Sequence, residues 1–355
     1  MKILITGICG FVGSELALHL GRRVPNVQIV GIDNFSRPGS ETTRPPLKAA
    51  GIAVKHGDVR CRSDLEGFAD VDWVIDAAAH PSVLVGLDGR TSSRLAVEHN
   101  LAGTLNILEL CKERGAGLVL LSTSRTYSVK SLRRLPLIVR DQAFAPDQSA
   151  EWPIGATAAG LTEAFPTTGP VSLYGATKLA SEVMAIEYGD AFGLPIVINR
   201  CGVLAGARQF GTVEQGILSY WIRAWASGRP LTYLGFEGTG YQVRDALHPA
   251  DLADLIARQV GAGSDAGGVW NVGGGLSNAM SLAQMSRWCA DRFGHREVHA
   301  ESTERRFDVP WIVMDTARVN SRFGWTSTTS ILNILDEIAE HHRLHPEWLS
   351  LSQPL

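Results

Sequence analysis

An α/β fold built on a doubly wound parallel β-sheet is predicted by two features of the sequence. Short apolar runs that suit buried strands alternate with stretches of helical spacing, as a parallel sheet with crossover helices requires. The first run, Lys2–Thr6, leads directly into the glycine-rich loop 7–13, and residues 14–20 then show helical spacing. A strand, a glycine turn and a helix in this order let a dinucleotide pyrophosphate approach bare backbone at a helix N-terminus. The sequence therefore predicts a Rossmann-type domain.

The second predicted strand, residues 27–32, is followed by an acidic residue that bears on the choice of cofactor. Asp33 lies 20 residues beyond Gly13, the distance expected for a carboxylate that holds the ribose hydroxyls of an adenine nucleotide. Its negative charge would repel a 2′-phosphate, so NAD is predicted in preference to NADP. The glycines alone would also suit an ordinary turn before a helix, and Asp33 is what favours the dinucleotide site.

The strands that follow carry small or polar residues at their carboxyl ends. A third strand, residues 52–57, leads to Asp58 beside the expected adenine site. A fourth, residues 73–80, runs into small residues that allow close approach to a cofactor. A helix is predicted to begin at Asn100. The next strand, residues 117–121, ends in hydroxyl residues, which face the ligand crevice in a doubly wound sheet.

Residues 129–170 interrupt this alternation, since they contain several prolines and show little periodicity. A segment of that length inside a compact domain is usually a functional lid or a disordered loop. We expect one of these two here.

Tyr174 and Lys178 form a candidate base. Residues 179–186 are rich in helix formers, and a four-residue spacing places the two side chains on one helix face, one turn apart. A phenol titrates near pH 10, so acting as a base near neutrality requires a shift of roughly 3 pKa units, or about 4 kcal/mol. An ammonium about 4–6 Å away supplies roughly 3–4 kcal/mol at an effective dielectric constant near 20. The spacing alone would equally suit an amphipathic helix with a half-buried Tyr and a snorkelling Lys.

Composition favours a cytoplasmic enzyme. The chain has 355 residues, enough for one large α/β unit and a smaller lobe. Its net charge is −3 and it has no long basic run, so nucleic acid is not an expected partner. The first strand leaves no room for a signal peptide, and no apolar stretch reaches membrane-spanning length. The five cysteines are odd in number and scattered, which predicts neither a disulfide framework nor a zinc site.

Taken together, the glycine loop, Asp33, the dipeptide 58–59, the strand end at 122–123 and the Tyr174–Lys178 pair resemble the extended short-chain dehydrogenase/reductase family. That family works largely on nucleotide-linked sugars. Three further runs, at residues 206–211, 214–216 and 242–245, are similar to the epimerases that act at carbon 2 of CDP-hexoses.

The resemblance implies a role for each matching residue. Thr123 would hydrogen-bond the sugar oxygen, and Tyr174 would take the hydroxyl proton as hydride leaves the neighbouring carbon for NAD. Lys178 would hold the nicotinamide ribose and lower the pKa of the phenol. The implied cofactor site comprises Gly7, Gly10, Phe11, Val12, Gly13, Asp33, Asn34, Ser36, Arg37, Asp58, Val59, Ala77, Ala78, Ala79, Asn100, Tyr174, Lys178, Cys201 and Val203. The implied substrate site comprises His80, Thr123, Arg208, Gln209, Arg244 and Arg305, and no metal is implied.

Two departures from the family pattern bear on the reaction. Dehydratase relatives carry an Asp-Glu pair directly after the active-site Thr, whereas this chain has Ser124 and Arg125, which disfavours dehydration. Pro310 stands where many members carry an arginine.

The predicted function is NAD-dependent epimerisation of a nucleoside-diphosphate sugar through a transient keto-sugar, with a CDP-hexose 2-epimerase as the specific candidate. The alternatives are a UDP-sugar 4-epimerase, a net sugar-nucleotide dehydrogenase, and a non-catalytic NAD-binding sensor or scaffold. We expect an NAD-binding domain over residues 1–200 and 243–275, a smaller interleaved C-terminal substrate-binding domain over 201–242 and 276–355, and a homodimer or higher homo-oligomer.

Overall fold

The structure is a computed structural model that describes residues 1–87, 89, 91–212 and 215–351. Glu214, which belongs to one of the runs singled out above, lies outside the described residues. The strands in chain order are β1 (Lys2–Thr6), β2 (Gln28–Asp33), β3 (Ala53–His56), β4 (Trp73–Asp76), β5 (Gly117–Thr123), β6 (Leu137–Arg140), β7 (Ala143–Pro146), β8 (Ala156–Thr157), β9 (Gly160–Leu161), β10 (Ile196–Cys201), β11 (Val203–Leu204), β12 (Thr232–Leu234), β13 (Val243–Leu247), β14 (Gly268–Val272), β15 (Ala279–Ser281), β16 (His299–Glu301) and β17 (Trp311–Ile312).

The helices are α1 (Phe11–Arg23), α2 (Arg44–Ala49), α3 (Arg62–Leu65), α4 (Ser93–Ala96), α5 (Gly103–Arg114), α6 (Val129–Leu132), α7 (Leu173–Phe192), α8 (Ile217–Ala226), α9 (Pro249–Ala262), α10 (Leu282–Phe293), α11 (Ala317–Phe323), α12 (Ile331–Leu344) and α13 (Trp348–Leu351). No helix in the described ranges combines the length and the apolar character needed to cross a membrane.

A parallel sheet of seven strands, counted over the described residues, forms the centre in the order β14-β10-β5-β4-β1-β2-β3. The chain runs outward from β1 to β3 and then returns to place β4 on the other side of β1. This reversal creates a crevice at the carboxyl ends of β1 and β4, where ligands bind in sheets of this kind. The predicted doubly wound fold is confirmed.

Helices cover both faces of the sheet. Its central strands are mainly apolar, so both of their faces have to be buried. Ile3 and Ile5 of β1 belong to one buried cluster and Leu4 to another, as the alternation of side chains along a strand requires. Helices α1 and α9 pack together on the first face. Helices α5 and α7 pack together on the second.

A smaller sheet, β11-β13-β15 with β17 against β13, continues from the carboxyl side of the central sheet. Helices α8, α10 and α12 contribute to a separate apolar cluster beside it. Strand β13 belongs to this smaller sheet, whereas α9, which follows it directly, packs on α1.

Two local expectations differ from the structure. The helical segment expected to begin at Asn100 starts with α4, because the Ser92 hydroxyl accepts the Arg94 N–H and caps it, and a π-helical turn, Val97–Ala102, joins α4 to α5. Residues 129–170 are not a disordered loop: they form α6 and the hairpins β6–β7 and β8–β9. This segment is held down by the burial of Leu132 and Phe165 in a cluster with Trp311.

Candidate active site

A cavity of about 770 Å³ opens at the carboxyl ends of the central strands and extends beneath the smaller sheet. The size lies within the range of small-molecule sites. Both halves of the predicted site line it. From the predicted cofactor set these are Gly7, Gly10, Phe11, Val12, Gly13, Asp33, Asn34, Ser36, Arg37, Val59, Ala77, Ala78, Ala79, Tyr174, Cys201 and Val203. From the predicted substrate set they are Thr123, Gln209, Arg244 and Arg305.

The glycine loop forms a cradle that a side chain would fill. A Cβ added to Gly13 would lie 2.2 Å from the Gly7 carbonyl oxygen, so the turn requires glycine there. Helix α1 starts at Phe11, its first turn carries no acidic residue, and its free N–H groups end at the cavity. The cradle fits the pyrophosphate of a dinucleotide, because bare backbone and the positive end of a helix dipole both favour an anion.

Asp33 ends β2 and is fixed by the loop it faces. Its carboxylate accepts the Cys9 N–H at 2.8 Å and the Phe35 N–H at 2.8 Å. Burial raises the pKa of the Asp33 carboxyl above its usual range, although these backbone donors oppose that shift. Asp58 does not line the cavity; its carboxylate accepts a hydrogen bond from Asn34 at 2.9 Å and pairs with Arg60 at 2.7 Å. Asp58 therefore orients Asn34, which does line the cavity.

Arg37 spans the cavity mouth between the two halves of the site. Its guanidinium donates to Gln215 Oε1 at 2.5 Å and to the Phe210 carbonyl at 2.8 Å. These contacts already engage the Arg37 guanidinium, which a 2′-phosphate of NADP would need as its counter-charge. The carboxylate of Asp33, which would repel that phosphate, lines the same cavity. Both observations favour NAD.

Thr123 and Tyr174 meet in the cavity wall. Thr123 is the last residue of β5, and Tyr174 lies in the first turn of α7, where the Ser172 hydroxyl caps the helix by accepting the Gly175 N–H at 3.1 Å. The Thr123 hydroxyl lies near the phenol of Tyr174 and opposes the rise in its pKa. The structure thus brings together the hydroxyl and the phenol that the sequence predicted to act on one sugar oxygen.

The pKa of the Tyr174 phenol differs from the sequence-based expectation. Burial raises it to about 12, and the opposing effects of the Thr123 hydroxyl and the Arg125 charge are smaller. The charge of Lys178 is not among the groups that shift the pKa of this phenol. Its ammonium is buried one turn further along α7, where burial lowers its pKa and the charges of Asp76 and Glu182 partly restore it. In this structure the buried carboxylates of Asp76 and Glu182, rather than the phenol, therefore act electrostatically on Lys178.

Those carboxylates belong to a buried polar network that the sequence reasoning missed. Asp76 accepts hydrogen bonds from Thr6 at 2.8 Å and Thr104 at 2.9 Å. Glu182 accepts one from Ser122 and forms an ion pair with Arg200 at 2.7 Å. A sequence signal for Glu182 did exist, since it lies four residues beyond Lys178 and so on the same face of α7.

Asn100, His80 and Arg208 were predicted site residues, but the structure does not place them in the cavity wall. The Asn100 amide accepts the His80 N–H at 2.7 Å and donates to the His80 carbonyl at 3.2 Å and to Thr177 Oγ1 at 3.1 Å. It therefore ties the loop after β4 to α7. Arg208 forms an ion pair with Glu15 of α1.

Arg244 and Arg305 face the cavity from the smaller sheet and the segment before β17. Arg244 donates to the Val309 carbonyl at 2.9 Å and lies 3.4 Å from Asp308 Oδ1. Burial, and next the charge of Arg125, lowers the pKa of the Arg244 guanidinium to about 9. A guanidinium held at such an electrostatic cost suits an anionic ligand, which would relieve the repulsion.

Fold and site together define an NAD-dependent enzyme of the short-chain dehydrogenase/reductase type. The chain belongs to the NAD dependent epimerase/dehydratase family, whose sequence profile matches residues 3–273.

Two kinds of relative illustrate the similarity. The CDP-paratose 2-epimerase of Salmonella typhi is 27% identical, over 93% of this chain and 96% of that protein. Among solved structures, the UDP-glucose 4-epimerase of Thermus thermophilus in complex with NAD is 25% identical with a TM-score of 0.75, covering 97% of this chain and 99% of that one. A double mutant of the dTDP-glucose 4,6-dehydratase DesIV from Streptomyces venezuelae has the same fold, with 22% identity, a TM-score of 0.79, and coverage of 99% and 100%.

Proposed function

We propose that the protein catalyses NAD-dependent epimerisation of a nucleoside-diphosphate sugar. The observation that carries the proposal is that Thr123 and Tyr174 line one cavity together with the glycine cradle and the arginines 244 and 305. A ligand with its diphosphate at the arginines would present its sugar to the phenol.

Each residue then has a task. Gly13 and its neighbours, with Asp33, would hold NAD, which accepts a hydride from the sugar and returns it. Thr123 orients the reacting hydroxyl, and Tyr174 accepts its proton and later gives it back. Lys178, buried on α7 within the electrostatic influence of Asp76 and Glu182, provides a positive charge one helical turn from Tyr174. Burial raises the pKa of the Tyr174 phenol, so Tyr174 can accept the sugar proton only as the phenolate, a form that the positive charge of a bound oxidised nicotinamide would favour.

Dehydration is disfavoured by the residues beside Thr123. Ser124 is buried, and the side chain of Arg125 lines the cavity where a dehydratase would need a carboxylic acid. Neither side chain can donate a proton to a leaving hydroxide at neutral pH. An epimerase requires no such donor.

We infer a CDP-hexose, epimerised at carbon 2, as the specific substrate. The similarity to the CDP-paratose 2-epimerase over 93% of the chain and the run 206–211 support this choice. A UDP-sugar 4-epimerase is the second candidate, supported by the Thermus thermophilus relative. NMR of purified protein incubated with CDP-, UDP-, GDP- and dTDP-sugars tests both, because it separates epimers from ketones and dehydrated products. A protein that holds NAD and converts none of them would instead be a sensor or scaffold.

We also propose a homodimer that associates through α5 and α7. The two helices are neighbours, and they leave apolar side chains exposed: Leu105, Val183 and Ile186. Substituting Val183 and Ile186 by Glu should convert the dimer to a monomer in analytical ultracentrifugation. Sedimentation of the unchanged protein as a monomer would contradict the proposal.

We place this assembly in the cytoplasm, and we retain the division into NAD-binding segments 1–200 and 243–275 and substrate-binding segments 201–242 and 276–355.

A further inference from the structure

Arg125 is a cavity residue to which the proposed reaction gives no task. It lies two residues beyond Thr123, and its N–H donates to the Thr123 hydroxyl at 3.2 Å. Its carbonyl oxygen packs against α7 so closely that a Cβ on Gly175 would lie 2.3 Å from it. The backbone of Arg125 is thus fixed beside Tyr174, while its side chain is free to reach across the cavity.

The side chain of Arg125 reaches the segment that also holds Arg244. Arg125 Nη1 donates to the Phe307 carbonyl at 3.5 Å, and Arg244 Nη2 donates to the Val309 carbonyl at 2.9 Å. Carbonyls two residues apart are separated by at most about 7 Å of chain. Arg125 follows β5 of the central sheet and Arg244 lies on β13 of the smaller sheet, so two guanidiniums from different sheets converge on one short stretch of the cavity wall.

The charges at this stretch do not balance. Arg125 and Arg244 each feel the charge of Arg305, and Arg244 also feels that of Arg125; Asp308 opposes these charges at both residues, and Asp245 opposes them at Arg244. Among these described groups, three positive charges face Asp308 and Asp245, and burial raises the pKa of the Asp245 carboxyl to about 7, so the group carries a net positive charge at neutral pH. The diphosphate of a nucleotide sugar carries two negative charges at neutral pH. The mutual repulsion that the arginines tolerate here would be relieved by such a ligand.

We propose that Arg125 is a substrate-binding residue and completes, with Arg244 and Arg305, a three-arginine site for the diphosphate of the nucleotide sugar. The proposal rests on the proposed function. Pro310 follows this segment where many relatives carry an arginine, and Arg125 supplies a guanidinium from the catalytic strand instead. Because Arg125 lies on the Tyr174 side of the arginine group, it contacts the phosphate nearer the sugar.

Isothermal titration calorimetry with nucleotides tests this without requiring turnover. The unchanged protein is titrated with CDP, UDP, GDP and dTDP, and the tightest of these is compared with its monophosphate in the Arg125→Gln variant. Loss of a hydrogen bond to a charged group corresponds to about 10- to 100-fold in affinity. We expect that loss for the diphosphate and a loss of less than about 3-fold for the monophosphate. Arg125→Lys, which keeps the charge without the planar fork, should fall between.

Arg133→Gln is the matched control. Arg133 holds the same segment from outside, since it donates to the Asp308 carbonyl at 2.9 Å and pairs with Glu304, and it does not line the cavity. Equal weakening in both Gln variants would mean that Arg125 acts by holding the segment, and the proposal would be overturned. Unchanged diphosphate affinity in Arg125→Gln and Arg125→Lys would overturn it as well. If the unchanged protein bound none of the diphosphates, the proposed function itself would fail.

Discussion

The ion pair between Glu182 and Arg200 is expected to hold the floor of the active site. Both side chains are buried, with 2% and 9% exposed, and the guanidinium donates to Glu182 through Nε at 3.1 Å and Nη2 at 2.7 Å. Burial lowers the pKa of Arg200, but the hydrogen bonds and charge of Glu182 outweigh it and raise the pKa overall. Glu182→Gln keeps the shape and leaves a buried guanidinium without its counterion. Breaking a buried pair in this way costs about 3–5 kcal/mol.

Denaturant unfolding, followed by circular dichroism, measures this loss directly. Glu340→Gln is the control, since Glu340 forms an exposed pair with Arg343 on α12 whose loss should cost less than about 1 kcal/mol. The double variant Glu182→Leu with Arg200→Met should recover most of the loss, because replacing both charges removes the uncompensated one, with about 1 kcal/mol remaining for the Ser122 hydroxyl left unpaired. A Glu182→Gln protein destabilised by less than about 1 kcal/mol, or a double variant no more stable than the single one, would refute this account of the floor.

Three further predictions concern the catalytic Tyr174, the substrate-binding Arg244 and the buried carboxyl of Asp245. Tyr174→Phe should leave the fold intact and lower kcat by about 10²- to 10⁴-fold, as expected for a lost general base; near-normal turnover would exclude the assigned role. Arg244→Ala should raise KM with kcat little changed, because a residue that holds the diphosphate binds the ground state and the transition state alike. Mass spectrometry should still find NAD bound to this variant; loss of NAD would show that Arg244 does not belong to the substrate lobe. Burial raises the pKa of the Asp245 carboxyl to about 7, so the unfolded chain loses this proton first and Asp245 lowers stability as pH rises from about 4 to 7. Asp245→Asn should flatten stability over that window in unfolding curves, and an unchanged pH dependence would argue against it.

Much of the fold was predictable because its signals are local. The strand Lys2–Thr6, the glycine loop and Asp33 lie within one βαβ unit, and each follows from backbone sterics or from the spacing of a buried strand. The order of segment 129–170 was not predictable from the sequence, because it depends on partners far along the chain. Phe165 is buried against residues near Trp311, a contact that sequence periodicity cannot reveal.

The site shows the same division between geometry and electrostatics. The helical spacing correctly placed Tyr174 and Lys178 on one helix, and the strand end correctly placed Thr123 at the ligand cavity. The direction of the phenol's pKa did not follow, because it depends on how much water each group loses and on which charges are nearest. These charges belong to residues of other elements: Asp76 at the end of β4 acts on Lys178, and Arg125, which follows β5, acts on Tyr174. A pair read from sequence thus identifies which atoms meet, whereas the strength of the base is set by neighbours that only the folded sheet brings together.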